Sequence, residues 1–292
     1  MFDLTRRHTL AILTAGAAAA SVTGLPGEVQ AGPAADLWPR WEAHDPASES
    51  TIDHAEWGRI LDAYLEPREG RANLFDYAAV TSEDRALLQD YLGDMTSRRI
   101  SKYNRDEQFA YWVNLYNALT IEVMLDHWPV DSIRDINLSG GFFSGLFGAG
   151  PWDAELVEIE GESLTLNDIE HRILRPIWQD QRIHYAVNCA SIGCPDLNPE
   201  PFQAERLEEQ LEAAARNYVN DARGAEVENG RLTVSKIYTW YKEDFGDSDR
   251  GVIEELKTYA EPGLRQQLEG ISRISNDRYD WSTNSPEQEG RS

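Results

Sequence analysis

The residues best suited to chemistry lie in one short stretch, Gln181 to Leu197, which contains both cysteines of the chain. From Arg182 to Asn188 the residues alternate in polarity, as in a β-strand that packs through one face. Small and turn-forming residues follow Cys189, so the pattern predicts that this thiol lies where the strand opens into a tight loop. A cysteine that is held by a rigid element but is not fully buried in the core is suited to nucleophilic chemistry.

A thiol hydrolase or acyl transferase needs a nucleophile, a base, a group that orients the base, and donors for the oxyanion. Cys189 is the predicted nucleophile. The predicted bases are His184 and His171, and the predicted orienting groups are Glu170 and Asn117. The predicted oxyanion donors are the loop amides near Ala190 and Ser191, and the predicted substrate contacts are Asn117, Asn188, Ser191 and Trp152. This chemistry needs no cofactor.

The spacing of His184 and Cys189 leaves the choice of base open. The two residues are five positions apart, so a continued straight strand would place their side chains on opposite faces. They can meet only if the chain turns at Asn188, whereas His171 could approach from its own helix.

Two other kinds of site are compatible with the same residues. Zinc accepts imidazole and thiolate ligands, and His171, His184, Cys189 and Cys194 supply four of them, although their spacing lacks the compact Cys-x2-Cys form. A binding module without catalysis would instead hold a peptide or glycan with the aromatic residues of Phe142–Trp152. In an oxidising compartment the Cys-x4-Cys spacing also permits a disulfide.

Some candidate site residues have structural roles open to them. Asn117 lies in Arg105–Trp128, which is apolar on all sides and predicts a buried central helix whose amides bridge neighbouring backbone. Glu170 stands three residues after Asn167, a spacing typical of a capping box. The glycine- and aromatic-rich segment Asp131–Pro151 is either a mobile lid over a pocket or a loop that covers the core.

The first residues predict export. Arg6 and Arg7 precede an apolar run, and the sequence up to Ala31 has the small-x-small form of a signal-peptidase site. We expect a twin-arginine signal peptide over residues 1–31 and a periplasmic or secreted mature protein that starts near Gly32. No later segment is long enough to span a bilayer. The formal net charge of −24 argues against nucleic acid and anionic membranes as partners, because both would be repelled.

Helical periodicity predominates in the mature chain, and two β-hairpins are predicted, at residues 155–165 and 226–234. We predict one α+β domain, mostly helical with a small antiparallel sheet, and a papain- or transglutaminase-like fold is one form that this class takes. The predicted boundaries are an extended arm at 32–52 that docks through its tryptophans, the domain at 53–284, and a disordered tail at 285–292.

Several segments run in the same order as in a known family over most of the mature chain. They are Y-W-V-N-L-Y-N-A-L-T from Tyr111, G-P-W from Gly150, L-T-L-N-D-I-E-H-R-I-L-R from Leu164, R-I-H-Y-A-V-N-C-A-S-I-G-C-P-D-L from Arg182, S-K-I-Y-T-W-Y-K-E-D-F from Ser235 and Y-D-W-S from Tyr279. In these segments the chain resembles the bacterial and plant family of unknown function catalogued as DUF547. The resemblance implies a thiol-bearing domain in which the position of Cys189 is the regular cysteine. It also implies that Cys194 is often serine in relatives, so that neither a disulfide nor a two-cysteine metal site is the common device of the family.

Overall fold

A long buried helix forms the centre of the fold, and shorter helices and small sheets pack around it. The computed structural model describes residues 32–138 and 150–289. The predicted signal peptide, the aromatic residues Phe142, Phe143 and Phe147, and the last three residues of the tail lie outside these ranges.

The helices are α1 (Ala55–Tyr64), α2 (Ser82–Ser97), α3 (Arg105–His127), a π-helix (Asp168–Leu174), α4 (Arg175–Trp178), α5 (Ile183–Ala186), α6 (Leu207–Asn220), α7 (Ile237–Trp240), α8 (Asp249–Tyr259), α9 (Pro262–Leu268) and α10 (Pro286–Glu289). The strands are β1 (Leu65–Glu66), β2 (Leu74–Phe75), β3 (Val157–Ile159), β4 (Glu162–Leu164), β5 (Ala225–Glu228), β6 (Arg231–Ser235) and β7 (Ile274–Arg278). This content confirms the predicted class, a mostly helical α+β fold. In the described ranges, no helix is long and apolar enough to cross a membrane.

Helix α3 confirms the prediction of a buried central helix. It begins at Arg105 because the side chain of Asn104 accepts hydrogen bonds from the amides of Asp106 and Glu107, at 3.1 and 3.0 Å. It ends at His127, shortly before Pro129. Nearly every residue from Glu107 to Met124 is buried, so the polar side chains of this helix must find their partners inside the protein.

The largest of the three sheets in the described ranges differs in one respect from the antiparallel sheet that we expected. Strands β5 and β6 form the predicted hairpin, and both turn residues, Asn229 and Gly230, have the positive φ that a tight two-residue turn requires. Strand β7, however, pairs with β6 in parallel. The helices α7 to α9 intervene between the two strands, and such a crossover lets the chain return in the same direction.

The strand predicted from Arg182 to Asn188 is not formed. Ile183–Ala186 is the helical turn α5, and the backbone becomes extended only at Val187. All four residues of α5 are buried, so the alternation in the sequence does not mark one packed face. A short run of buried residues cannot be assigned to helix or strand by periodicity alone.

The capping box predicted for Asn167 and Glu170 is also wrong, because Asn167 makes no side-chain capping bond. Thr165 and Asp168 form the box two residues earlier. The Thr165 hydroxyl accepts a hydrogen bond from the Asp168 amide at 2.9 Å, and the Asp168 carboxylate accepts one from the Thr165 amide at 3.0 Å. Glu170 is thereby released from the capping role.

Candidate functional site

The first part of the site is the thiol loop, residues 188–195, whose shape is fixed by Asn188. The Asn188 side chain accepts a hydrogen bond from the amide of Ala190 at 2.8 Å and donates one to the carbonyl of Pro195 at 2.7 Å. It therefore closes the loop across its base. Ala190 has a φ of 57°, a left-handed conformation that these bonds hold in place.

The segment after β7 holds the other side of the thiol loop. The amides of Ile192 and Gly193 donate to the carbonyls of Ser282 and Asp280, both at 2.8 Å. A Cβ on Gly193 would lie 2.6 Å from the amide nitrogen of Asp280, so this close approach requires glycine. The loop is thus a rigid support for Cys189.

Polar groups surround the Cys189 sulfur. It lies 3.0 Å from the Tyr279 hydroxyl, 3.3 Å from the Ser191 hydroxyl and 2.9 Å from the Cys194 sulfur. The hydrogen bond from Cys194 is the main cause that lowers the pKa of the Cys189 thiol, and bonds from Ser191 and Tyr279 add to it against the opposing effect of burial. Cys189 is half-buried and Cys194 is buried, so the more acidic thiol is also the more accessible one.

Of the two amides predicted as oxyanion donors, only one is available. The Ala190 amide is taken by Asn188. Ser191 and Thr283 form an isolated β-bridge, whose hydrogen bonds come from the amides of Ile192 and Asn284. The Ser191 amide itself has no hydrogen-bond partner among the described residues. The structure therefore leaves one backbone donor, on Ser191, two residues after the sulfur.

The second part of the site is the histidine–carboxylate cluster, formed by Glu170, His171, Arg175, His184 and Asp244. The Nε2 of His184 lies 2.6 Å from the Asp244 carboxylate. Burial opposes ionisation of Asp244, but hydrogen bonds from His184 and Arg175 outweigh it and lower the pKa of this carboxyl to about 2. Because an ionised carboxylate only accepts, His184 donates to Asp244 through Nε2, and Nδ1 is the ring nitrogen left for another partner.

Glu170 lies between the two histidines. One of its oxygens is 3.8 Å from Nδ1 of His184 and also 3.8 Å from Nδ1 of His171. The residue is 6 % exposed, so its charge acts in a poorly solvated place. The π-helix supplies both Glu170 and His171, and short π-helical segments are frequent at functional sites.

Arg175 fixes the cluster. Its guanidinium donates to Asp244 at 2.6 Å, to Nδ1 of His171 at 3.0 Å and to Glu243 at 2.9 Å. Because a guanidinium cannot accept, His171 Nδ1 is unprotonated, and burial lowers the pKa of this ring. His171 is therefore committed to Arg175, which leaves His184 as the better placed base.

Asn117 joins the two parts of the site. From α3 it donates to the carbonyl of Ala186 at 3.0 Å and accepts from the amide of Asn188 at 2.8 Å. It thereby fixes the backbone between His184 and Cys189. The predicted direct pair is not present, since in the described part of the chain neither His184 nor His171 is hydrogen-bonded to the Cys189 sulfur.

The charge of Glu170 also connects the two parts, because it acts against the lowering of the Cys189 pKa. Tyr241 stacks on His184, with ring centroids 4.5 Å apart, and its pKa is raised by burial, by Glu170 and by the two thiols. The thiol loop and the histidine–carboxylate cluster thus share electrostatic neighbours, although they share no direct hydrogen bond.

Residues 100–219 match the sequence model of a family described as a protein of unknown function, DUF547. The matched region belongs to the DUF547 family. It contains both cysteines, both candidate bases, Glu170, Arg175 and Asn117, which confirms the resemblance seen in the sequence. Neither a curated protein nor a solved structure matches the chain.

Several residues of the site lie beyond the matched DUF547 region, among them Asp244, Tyr241 and Tyr279. Asp244 is 60 residues from His184, and Tyr279 is 90 residues from Cys189. No pattern of residue types or spacing in the sequence marked Asp244 or Tyr279 as functional, nor Arg175 or Tyr241. All four lie in the segments that carry the DUF547 resemblance, which was the one signal that could have indicated them.

The alternative zinc site does not fit the geometry. Within residues 32–138 and 150–289, no three His, Cys, Asp or Glu side chains are grouped so that they could hold a metal ion. The two histidines bond to Arg175 and Asp244, whereas the two thiols bond to each other. The four predicted ligands therefore do not form one donor set.

Trp152 lies in a row of half-buried aromatic side chains that leads to the thiol. Its ring centroid is 5.9 Å from that of Trp281, which in turn is 4.6 Å from Tyr279 and 5.6 Å from Trp240. The Tyr279 hydroxyl contacts the Cys189 sulfur. We call Trp152, Trp240, Tyr279 and Trp281 the aromatic row.

Proposed function

We propose that this protein is a thiol-dependent acyl hydrolase or acyl transferase and that Cys189 is its nucleophile. The observation that carries the proposal is the setting of the Cys189 sulfur, which belongs to a half-buried residue on a rigid loop and has hydroxyl and thiol neighbours that favour the thiolate. A structural cysteine would need none of these features.

In the proposed reaction, the Cys189 thiolate attacks the carbonyl carbon of an ester or amide. The Ser191 amide stabilises the oxyanion of the tetrahedral intermediate, which collapses to a thioester as the C–O or C–N bond breaks and the leaving group takes up a proton from water. Water or another acceptor then attacks the thioester and restores the thiol.

His184 is the proposed acid–base residue. Its Nε2–H is fixed by Asp244, so Nδ1 can take a proton from the incoming water or acceptor. Arg175 holds Asp244 in place against this ring, and the Glu170 carboxylate, 3.8 Å from Nδ1, balances the positive charge that the ring gains. Asn117 acts as a positioning residue, because it sets the backbone path from His184 to Cys189.

The aromatic row is the proposed binding surface for the remainder of the substrate. Flat, half-buried rings next to a nucleophile suit a peptide or a glycan that carries the acyl group. With the predicted signal peptide, such a substrate would be met in the periplasm or outside the cell.

A small activated ester tests the proposal without knowledge of the natural substrate. On mixing with p-nitrophenyl acetate, we expect a burst of nitrophenol and an intact mass with one acetyl group, which peptide mapping places on Cys189. Cys189→Ser should abolish the burst while its thermal unfolding midpoint stays that of the wild type. Acetylation at another residue, or an unchanged burst in Cys189→Ser, would contradict the assignment.

A further inference from the structure

Both thiols of the chain are free, yet their sulfurs are only 2.9 Å apart. A disulfide bond is about 2.05 Å long, so closure of the pair would need a relative movement of about 0.9 Å. The amide of Cys189 also donates to the Cys194 sulfur at 3.0 Å, which fixes the direction from which the two sulfurs approach.

The two thiols differ in access. Cys189 is half-buried, whereas Cys194 is 5 % exposed and its sulfur is in contact with that of Cys189. In thiol–disulfide exchange, an accessible acidic thiol is the attacking group, and a second thiol behind it resolves the mixed disulfide. The arrangement on the thiol loop matches this division of roles.

We propose that Cys189 and Cys194 form a redox pair that closes reversibly into a disulfide by exchange with low-molecular-weight disulfides, and that closure blocks the nucleophile. The statement about the nucleophile rests on the function proposed above, whereas closure of the pair does not.

The exchange occurs in two steps. The Cys189 thiolate attacks one sulfur of the small disulfide, which forms a mixed disulfide and releases one small thiolate. The Cys194 thiol then loses its proton and attacks the Cys189 sulfur, which forms the intramolecular bond and releases the second small thiolate. The protein loses two electrons and two protons, and the small disulfide is reduced to two thiols.

Closure would end the contacts that activate Cys189. In the reduced protein the Cys189 sulfur has the Ser191 hydroxyl, the Tyr279 hydroxyl and the Cys194 thiol as neighbours. In the disulfide no thiolate remains for these groups to stabilise, and acylation should stop. Reduction by a dithiol should restore it.

The test is a titration of the purified protein with mixtures of reduced and oxidised glutathione, followed by rapid alkylation with iodoacetamide and intact mass measurement. We expect the two thiols to disappear together, with the mass of the intramolecular disulfide and no stable glutathione adduct. Cys194→Ser, which cannot resolve the mixed disulfide, should instead accumulate one glutathione on Cys189.

A stable glutathione adduct on the wild-type protein, or two thiols that remain alkylatable in fully oxidised glutathione, would overturn the proposal. The wild-type result does not depend on the folding of any variant. If the disulfide forms but the reduced protein shows no burst with p-nitrophenyl acetate, the proposed acyl chemistry fails while the redox pair stands. If the burst is present but no disulfide forms, the redox pair fails alone.

Discussion

Uncharged hydroxyl and thiol groups contact the sulfur of Cys189 in the thiol loop, whereas charged groups hold the imidazole of His184 in the histidine–carboxylate cluster. In the thiol loop, the groups around the Cys189 sulfur are two hydroxyls and a second thiol, none of which is a cation. In the cluster, the charged groups of Arg175 and Asp244 bond to each other, and Asp244 in turn holds the ring of His184. The comparison indicates that the acidity of Cys189 does not depend on an imidazolium neighbour, and it is the reason why the role proposed for His184 is the later proton transfer.

The largest expected effect comes from His184→Gln. If the two parts act separately, deacylation of the acetyl-enzyme should slow by about 100- to 10,000-fold, the usual range for loss of a general acid–base residue, while iodoacetamide should still alkylate Cys189 at nearly the wild-type rate. Quenched-flow measurement of the acetyl-enzyme and the alkylation rate check this.

The matched control is His54→Gln, since His54 is equally buried but lies elsewhere, bonded to Tyr91. Its ring is neutral at pH 7, because burial lowers its pKa to about 4. This variant should leave deacylation unchanged. If His184→Gln slowed alkylation as much as deacylation, the thiol and the imidazole would form one ion pair. That result would contradict the claim that the acidity of Cys189 is independent of the imidazole.

The next effect concerns Asp244→Asn and its dependence on pH. The folded-state pKa of Asp244, about 2, is below the ordinary value of 3.8, so the charged carboxylate stabilises the fold by about 2 kcal/mol. This contribution is fully present above pH 3.8 and is lost as the pH falls through about 2. Urea unfolding should therefore show the largest difference from wild type near neutral pH and a shrinking difference below pH 3.8.

Glu243→Gln is the matched control for that substitution. Glu243 bonds to the same guanidinium of Arg175, but its side chain is 53 % exposed, so its loss should cost less than about 1 kcal/mol. Equal losses in the two variants would show that the cluster is an ordinary surface network.

The smallest expected effect is a slower alkylation of Cys189, which tests whether Asn117 links the two parts. Asn117→Ala removes two hydrogen bonds to the backbone beside Cys189, and Asn114→Ala removes two of the same kind to Phe202 from the preceding turn of α3. Each variant should lose about 1–3 kcal/mol of unfolding free energy. Only Asn117→Ala should also slow the alkylation of Cys189. The same alkylation rate in both variants would remove the positioning role of Asn117.

Local signals in the sequence were sufficient for much of the fold. The all-round apolar pattern between Arg105 and Trp128 predicted α3 to within one residue at its end, and the turn at Asn229 and Gly230 predicted the hairpin of β5 and β6. These elements are specified by residues close together in the chain. The segment of α5 failed because buried helix and buried strand share the same short apolar pattern.

The sequence by itself determined which residue types are available for the proposed chemistry: a thiol before a turn-rich loop, two histidines and a glutamate in a short interval, and a buried asparagine on a central helix. Only the tertiary structure decided their partners. Asp244 comes to His184, and Tyr279 to Cys189, from segments 60 and 90 residues away, because packing and not sequence proximity brings them together. The same packing decided that the sulfur contacts hydroxyls and a second thiol, and that the imidazoles bond to carboxylate and guanidinium groups, which no local pattern in the chain records.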